Sequence, residues 1–133
     1  MNRDLAFSMS FTTLLSHTLR PIPIAMTSEI KLTVHLDENK VPERIDWEAE
    51  DGGSRSSSKA VLLALWDEQE RNTLRIDLWT KEMTVEEMKA FFHQNILTLA
   101  DTFDRATGEG KMAAQMRDFA AYFAEHMLPE LKK

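Results

Sequence analysis

The sequence has no cysteine. That excludes disulfide staples, thiolate nucleophiles and cysteine-ligated metal centres together, and it suits a reducing compartment. Only four glycines and four prolines occur, too few for a low-complexity or fibrous chain. No apolar run reaches the roughly 18 residues of a membrane-spanning helix, so membrane insertion is not expected. Basic residues are in deficit, 16 Lys+Arg against 22 Asp+Glu for a formal charge of −6, so a broad electrostatic grip on nucleic acid is not expected either. What is present is 133 residues, 43% of them hydrophobic, enough for one ordinary core held by packing alone.

The charge is uneven along the chain. Residues 1–27 hold Arg3 and Arg20 against Asp4 alone, so the remainder is more acidic than the whole. This opening stretch is rich in Ser and Thr, and its apolar run is broken by Ser8, Ser10, Thr12 and Thr13. It therefore lacks the clean apolar region of an export signal, and Arg20-Pro21-Ile22-Pro23 offers no small-residue cleavage site. Residues 1–27 are expected to be an N-terminal extension, disordered or preceding the true start at Met26, and residues 28–133 a single α+β domain.

From Ser28, Ile30, Leu32, Val34 and Leu36 alternate with polar residues, the period of a half-buried strand. Asp37-Glu38-Asn39-Lys40 makes a polar turn before a second alternating run, Val41 to Ala49, with Pro42 near a strand start. Glu50 to Ser58 reads as a flexible loop. Ala60 to Trp66 is apolar throughout and short, as in a strand covered on both faces. Asp67 to Asn72 then links it to Leu74, Ile76 and Leu78, which alternate with Arg75, Asp77 and Trp79. Two hairpins in one four-stranded antiparallel sheet are expected.

Helical spacing follows. Thr84 and Glu87 form a T-x-x-E capping box. Val85, Met88, Phe92, Ile96, Leu99 and Phe103 recur every three or four residues until Gly108. A second helix, from about Glu109 to Pro129, aligns Met112, Met116, Phe119, Phe123 and Met127. The expected fold is α+β, with both amphipathic helices packed on one sheet face.

The motifs of catalysis are missing. Gly52-Gly53 and Lys59 do not complete a phosphate loop, and the four histidines, His17, His35, His93 and His126, form no metal-binding pair on one helix turn. Asp37, Asn39 and Glu43 lack the glycine and terminal glutamate of a calcium loop. His93 stands eight residues from Asp101, about 12 Å along a helix and too far for a direct pair. The expectation is no cofactor, no metal and no enzymatic activity. A surface remains: Arg75, Asp77 and Trp79 project from the sheet face opposite the helices, where Trp66 and Arg44 would extend an aromatic patch with a charged edge, and His93 lies on the helix flank. Arg44, Trp66, Arg75, Asp77, Trp79 and His93 are the candidate interaction residues. The alternative is a small-ligand site or enzyme site in a cleft between sheet and helices, using His93, Asp77 and Arg75. The apolar faces of the helix pair suit a homodimer as well as a monomer core.

Several stretches carry a family resemblance. Ser28 to Val34, Val41-Pro42-Glu43-Arg44-Ile45 with Trp47, Asp51-Gly52-Gly53, Leu65-Trp66-Asp67, Asn72 to Met83, Met88 to Gln94, Ala100 to Gly108 and Met116-Arg117-Asp118-Phe119 resemble the gliding motility protein GldC family. The resemblance spans about Ser28 to Leu128 and leaves residues 1–27 outside. It implies a small soluble cytoplasmic protein of Bacteroidetes-type bacteria, an accessory to gliding, and the surface reading adds to this a protein partner in the gliding or associated secretion machinery. It implies no catalytic residue.

Overall fold

The computed structural model describes residues 4–13 and 26–132. The chain is α+β, with antiparallel strands followed by two helices. It divides into two compact units, one ending at Glu82 and one beginning at Met83.

The first unit holds β1 (Asp4–Thr13), β2 (Met26–Leu36), β3 (Pro42–Ala49), β4 (Ser54–Ser58), β5 (Ala60–Asp67) and β6 (Asn72–Trp79). Both expected hairpins form: β2 pairs with β3, Val34 opposite Ile45, and β5 pairs with β6, Leu63 opposite Ile76. They do not lie side by side. The four-stranded sheet has the order β1-β2-β3-β4, while β5 and β6 make a sheet of their own. Two of its members come from segments read as unstructured. The N-terminal extension, expected to be disordered or to precede the true start at Met26, supplies β1, antiparallel to β2 from Asp4 opposite His35 to Thr13 opposite Met26. Residues 14–25 lie outside the described residues.

The loop expected from Glu50 to Ser58 is instead a single 3-10 turn, Glu50–Gly52, and then β4, paired with β3. Gly53 reverses the chain between them at φ 58°, a left-handed conformation that glycine adopts without steric cost. A strand of serines carries no apolar alternation, so its sequence does not mark β4 as a strand.

Alternation decides the core. Val34, Leu36 and Ile45 are buried, with Val61 and Leu78 packed against them. The apolar faces of the two sheets thus meet, and Leu32, Leu63 and Ile76 extend the contact. At one end, Asp37 organises the β2–β3 turn. Its carboxylate accepts the N–H groups of Asn39 and Val41 at 2.7 and 2.9 Å, and Lys40 takes a left-handed φ of 63°. Lys81 pairs with the same carboxylate, and its N–H donates to the Pro42 carbonyl at 3.2 Å, tying the end of β6 to the start of β3. Chiefly through Lys81, then the backbone bonds, Asp37 is held below the ordinary carboxylate range, and Lys81 is raised in return.

The second unit is a helical hairpin of α1 (Val85–Thr107) and α2 (Gly110–Met127). The capping box is present: Glu87 N–H donates to Thr84 Oγ1 at 3.1 Å and Thr84 N–H to Glu87 Oε2 at 3.0 Å. Gly108 closes α1 at φ 73°. The helices meet through small residues, Ala100, Ala113 and Ala120, all fully buried. Arg117 of α2 spans the pair, donating to Asp101 at 2.9 Å and Asp104 at 3.4 Å. The apolar stripe read from spacing is only partly the seam, since Val85, Phe92, Leu99, Met112 and Phe119 stay exposed.

Candidate functional site

The β5–β6 ribbon has two faces set by its register. Val61, Leu63, Ile76 and Leu78 turn to the core, so the opposite face carries Ala60, Leu62, Ala64 and Trp66 beside Thr73, Arg75, Asp77 and Trp79. Trp66 and Trp79 are 68% and 57% exposed. Arg75 Nη2 donates to Asp77 Oδ1 at 3.0 Å, a pair two residues apart on one strand face. Four sequence-derived candidates therefore share one surface.

They do not form the compact patch expected of them. Trp66 lies opposite Thr73 and Trp79 opposite Ala60, so six residues, or about 20 Å of strand, separate the two rings. The ion pair occupies the middle. At the turn end the ribbon outruns its core: Leu65 and Leu74, directly opposite one another on the inner face, are 45% and 52% exposed. Asp67 caps that turn, accepting the N–H groups of Gln69 and Glu70 at 2.9 and 2.8 Å.

The other two candidates belong to other elements. Arg44 does not edge this surface, because it stands on the polar face of the four-stranded sheet, on the far side of the shared core. His93 is on α1, where its ring stacks on Phe123 of α2 at 6.4 Å and 7°. It lines a cleft of about 610 Å³ at the open end of the helical hairpin, with Ala90, Gln94, Met127 and Pro129 among its walls.

Arg44 belongs to a cluster that matches no catalytic or metal-binding motif. Asp46 Oδ2 lies 2.9 Å from His35 Nε2 and 3.0 Å from Arg44 Nε, and Asp46 Oδ1 accepts from Ser57 Oγ at 2.8 Å. Arg44 Nη2 also reaches His35 Nε2 at 3.0 Å. That nitrogen donates to Asp46 when protonated and accepts from Arg44 when not, so the tautomer selects the partner. The Ser57 bond, then His35 and Arg44, hold Asp46 below the ordinary carboxylate range. The arrangement is not a nucleophile relay: the carboxylate stands between hydroxyl and imidazole, whereas activation needs the imidazole in the middle. The β2–β3 register puts His35, Arg44 and Asp46 on one face, and the pairing of β4 with β3 brings Ser57 to them.

Above this cluster lies an open groove of about 410 Å³, lined by Lys31, Thr33, Glu48 and Arg55 as well. Among the described residues no three His, Asp or Glu side chains are placed to hold a metal ion, and no helix is long and apolar enough to cross a membrane.

Comparison with known proteins adds a family. The model described as gliding motility-associated protein GldC-like matches residues 42–128, from the start of β3 through both helices. No curated protein and no solved structure matches the chain. Because the matched segment is more than half of the sequence, the chain belongs to the GldC-like family of gliding motility-associated proteins.

Proposed function

We propose that the chain is a noncatalytic accessory protein that supports gliding, or the secretion machinery associated with it, by holding a protein partner on the outer face of β5–β6 in the cytoplasm. The observation that carries this reading is the exposure of Trp66 and Trp79 on one face around the Arg75–Asp77 pair. A tryptophan half covered by a partner hides on the order of 100 Å² of ring, worth about 2–3 kcal/mol at the usual transfer coefficient. Two such anchors with a polar centre have the composition of an interface, where aromatic residues and arginine dominate. Trp79→Ala with Arg75→Ala, in a gliding strain carrying the chain as its sole copy, is expected to impair spreading and partner co-purification without lowering the melting midpoint. Unimpaired spreading and capture would remove this face.

A second reading rests on the cleft beside His93, whose volume of about 610 Å³ suits a small ligand. It predicts that His93→Ala, with its fold intact, abolishes gliding while Trp79→Ala leaves it unchanged.

A further inference from the structure

The last strand of the four-stranded sheet, β4, is paired among the described residues on one side only, with β3. Alternate N–H and C=O groups along Ser54–Ser58 therefore point away from β3, along an edge with no partner strand among the described residues. The strand has no proline and no bulge in its register with β3, and a single charge, Arg55. Beyond its shortness and that arginine, nothing in it resists the addition of another strand.

The two faces of β4 restrict what can be added. Arg55 and Ser57 stand on the polar face with Lys31, Glu48 and Asp46. Ser54, Ser56 and Ser58 lie opposite Ala49, Trp47 and Ile45, on the face that turns to the core. A slip of one residue would set the polar face of one sheet against the apolar face of the other. An antiparallel second copy must therefore pair about a residue, not between two. Centred on Arg55, two guanidinium groups oppose each other, and like charges directly opposite are unfavourable; centred on Ser57, only Ser56–Ser58 of the strand find a partner, and Arg55 falls opposite a position beyond β4. Centred on Ser56, all five residues pair and Arg55 faces Ser57 of the second copy. The polar row then reads Lys31, Glu48 and Arg55, followed by Ser57, Asp46 and Thr33 of the second copy, so cation and carboxylate alternate across the junction. That matters for a chain of formal charge −6, whose copies otherwise repel.

We propose that β4 is a homodimerisation edge, at which two copies pair antiparallel about Ser56 and join their four-stranded sheets into one. The self-complementary charge register selects a second copy over a foreign peptide as the occupant. Because the chain has no cysteine, single cysteines report the register cleanly. The unmodified chain is expected to have a dimer's mass by light scattering. Ser56→Cys should cross-link almost completely on oxidation at micromolar concentration. Ser54→Cys should not cross-link alone, but should do so when mixed with Ser58→Cys. Arg55→Glu sets a carboxylate toward Asp46 of the second copy on both sides of the axis and should weaken the dimer roughly tenfold. Ser54 and Ser56 are exposed and Ser58 is half-buried, and an unchanged melting midpoint for each reduced variant establishes that the fold is intact. A monomeric mass at every concentration would overturn the proposal, as would a dimer in which Ser54→Cys and Ser56→Cys cross-link equally.

Discussion

The two units of the chain solve the packing problem in opposite ways. The β unit fits large branched side chains, Val34, Leu36 and Ile45, between two sheets, and wires its outer polar face with the bonds around Asp46 and Asp37. The helical hairpin instead brings its backbones together over Ala100, Ala113 and Ala120 and leaves larger apolar residues exposed. Side-chain volume stabilises the first, and its absence permits the second. A short alanine seam buries little area, so the hairpin leans more on its cap, its αL stop and the Arg117 bonds.

This contrast predicts opposite responses to changes of size. Ile45→Ala removes a fully buried side chain between the sheets and should cost about 2–5 kcal/mol, read as a lower urea midpoint with the fluorescence of Trp47 as probe. A loss below about 1 kcal/mol would mean that the β core collapses around the gap, which close packing disfavours. In the hairpin the damaging change is enlargement. Ala120→Leu should cost about 1–3 kcal/mol by forcing the helices apart, measured from the helical signal at 222 nm. If Ala120→Leu proved neutral, the seam would be loose and the comparison would fail.

Acid should separate the units next. Asp37 and Asp46 are both depressed, so their contribution is present above the unfolded carboxylate value and is lost as pH falls through about 4 and below. Lys81→Met removes the main cause of the Asp37 depression, and the variant's stability should change less than the unmodified chain's between pH 5 and pH 2. An identical pH dependence would show that the pair does not act. Lys81 is raised, so its own share is complete below the ordinary lysine value and is lost only as pH rises beyond it. The smallest effect is expected at the proposed interface: Trp79→Ala, exposed on the outer face, should move the melting midpoint by little, within about 0.5 kcal/mol. A large drop would make Trp79 a structural residue and weaken its reading as an anchor.

How far the site was legible in the sequence depends on which residues are considered. Alternation in Asn72 to Trp79 was enough to put Arg75, Asp77 and Trp79 on one face, and the structure exposes all three. Placing Trp66 with Trp79 in one patch needed the β5–β6 register, which sets them at opposite ends. Arg44 was assigned to the wrong surface because the sequence does not say that the hairpins belong to different sheets. The cluster at Asp46 includes Ser57, which lies in a stretch with no apolar period at all.

The sequence by itself determined what is local. Two β-hairpins, the capping box of Thr84 and Glu87, the glycine stop at Gly108 and the polar and apolar sides of each strand all follow from backbone periods and from side chains a few residues apart. Only the tertiary structure decided which strands share a sheet, that β1 and β4 join it, that alanines form the helical seam, and that Asp46 gathers His35, Arg44 and Ser57. Those outcomes depend on which surfaces meet after long segments of chain have closed. An alternating pattern states that a face will be buried, but the partner that buries it is chosen by contacts far away in sequence.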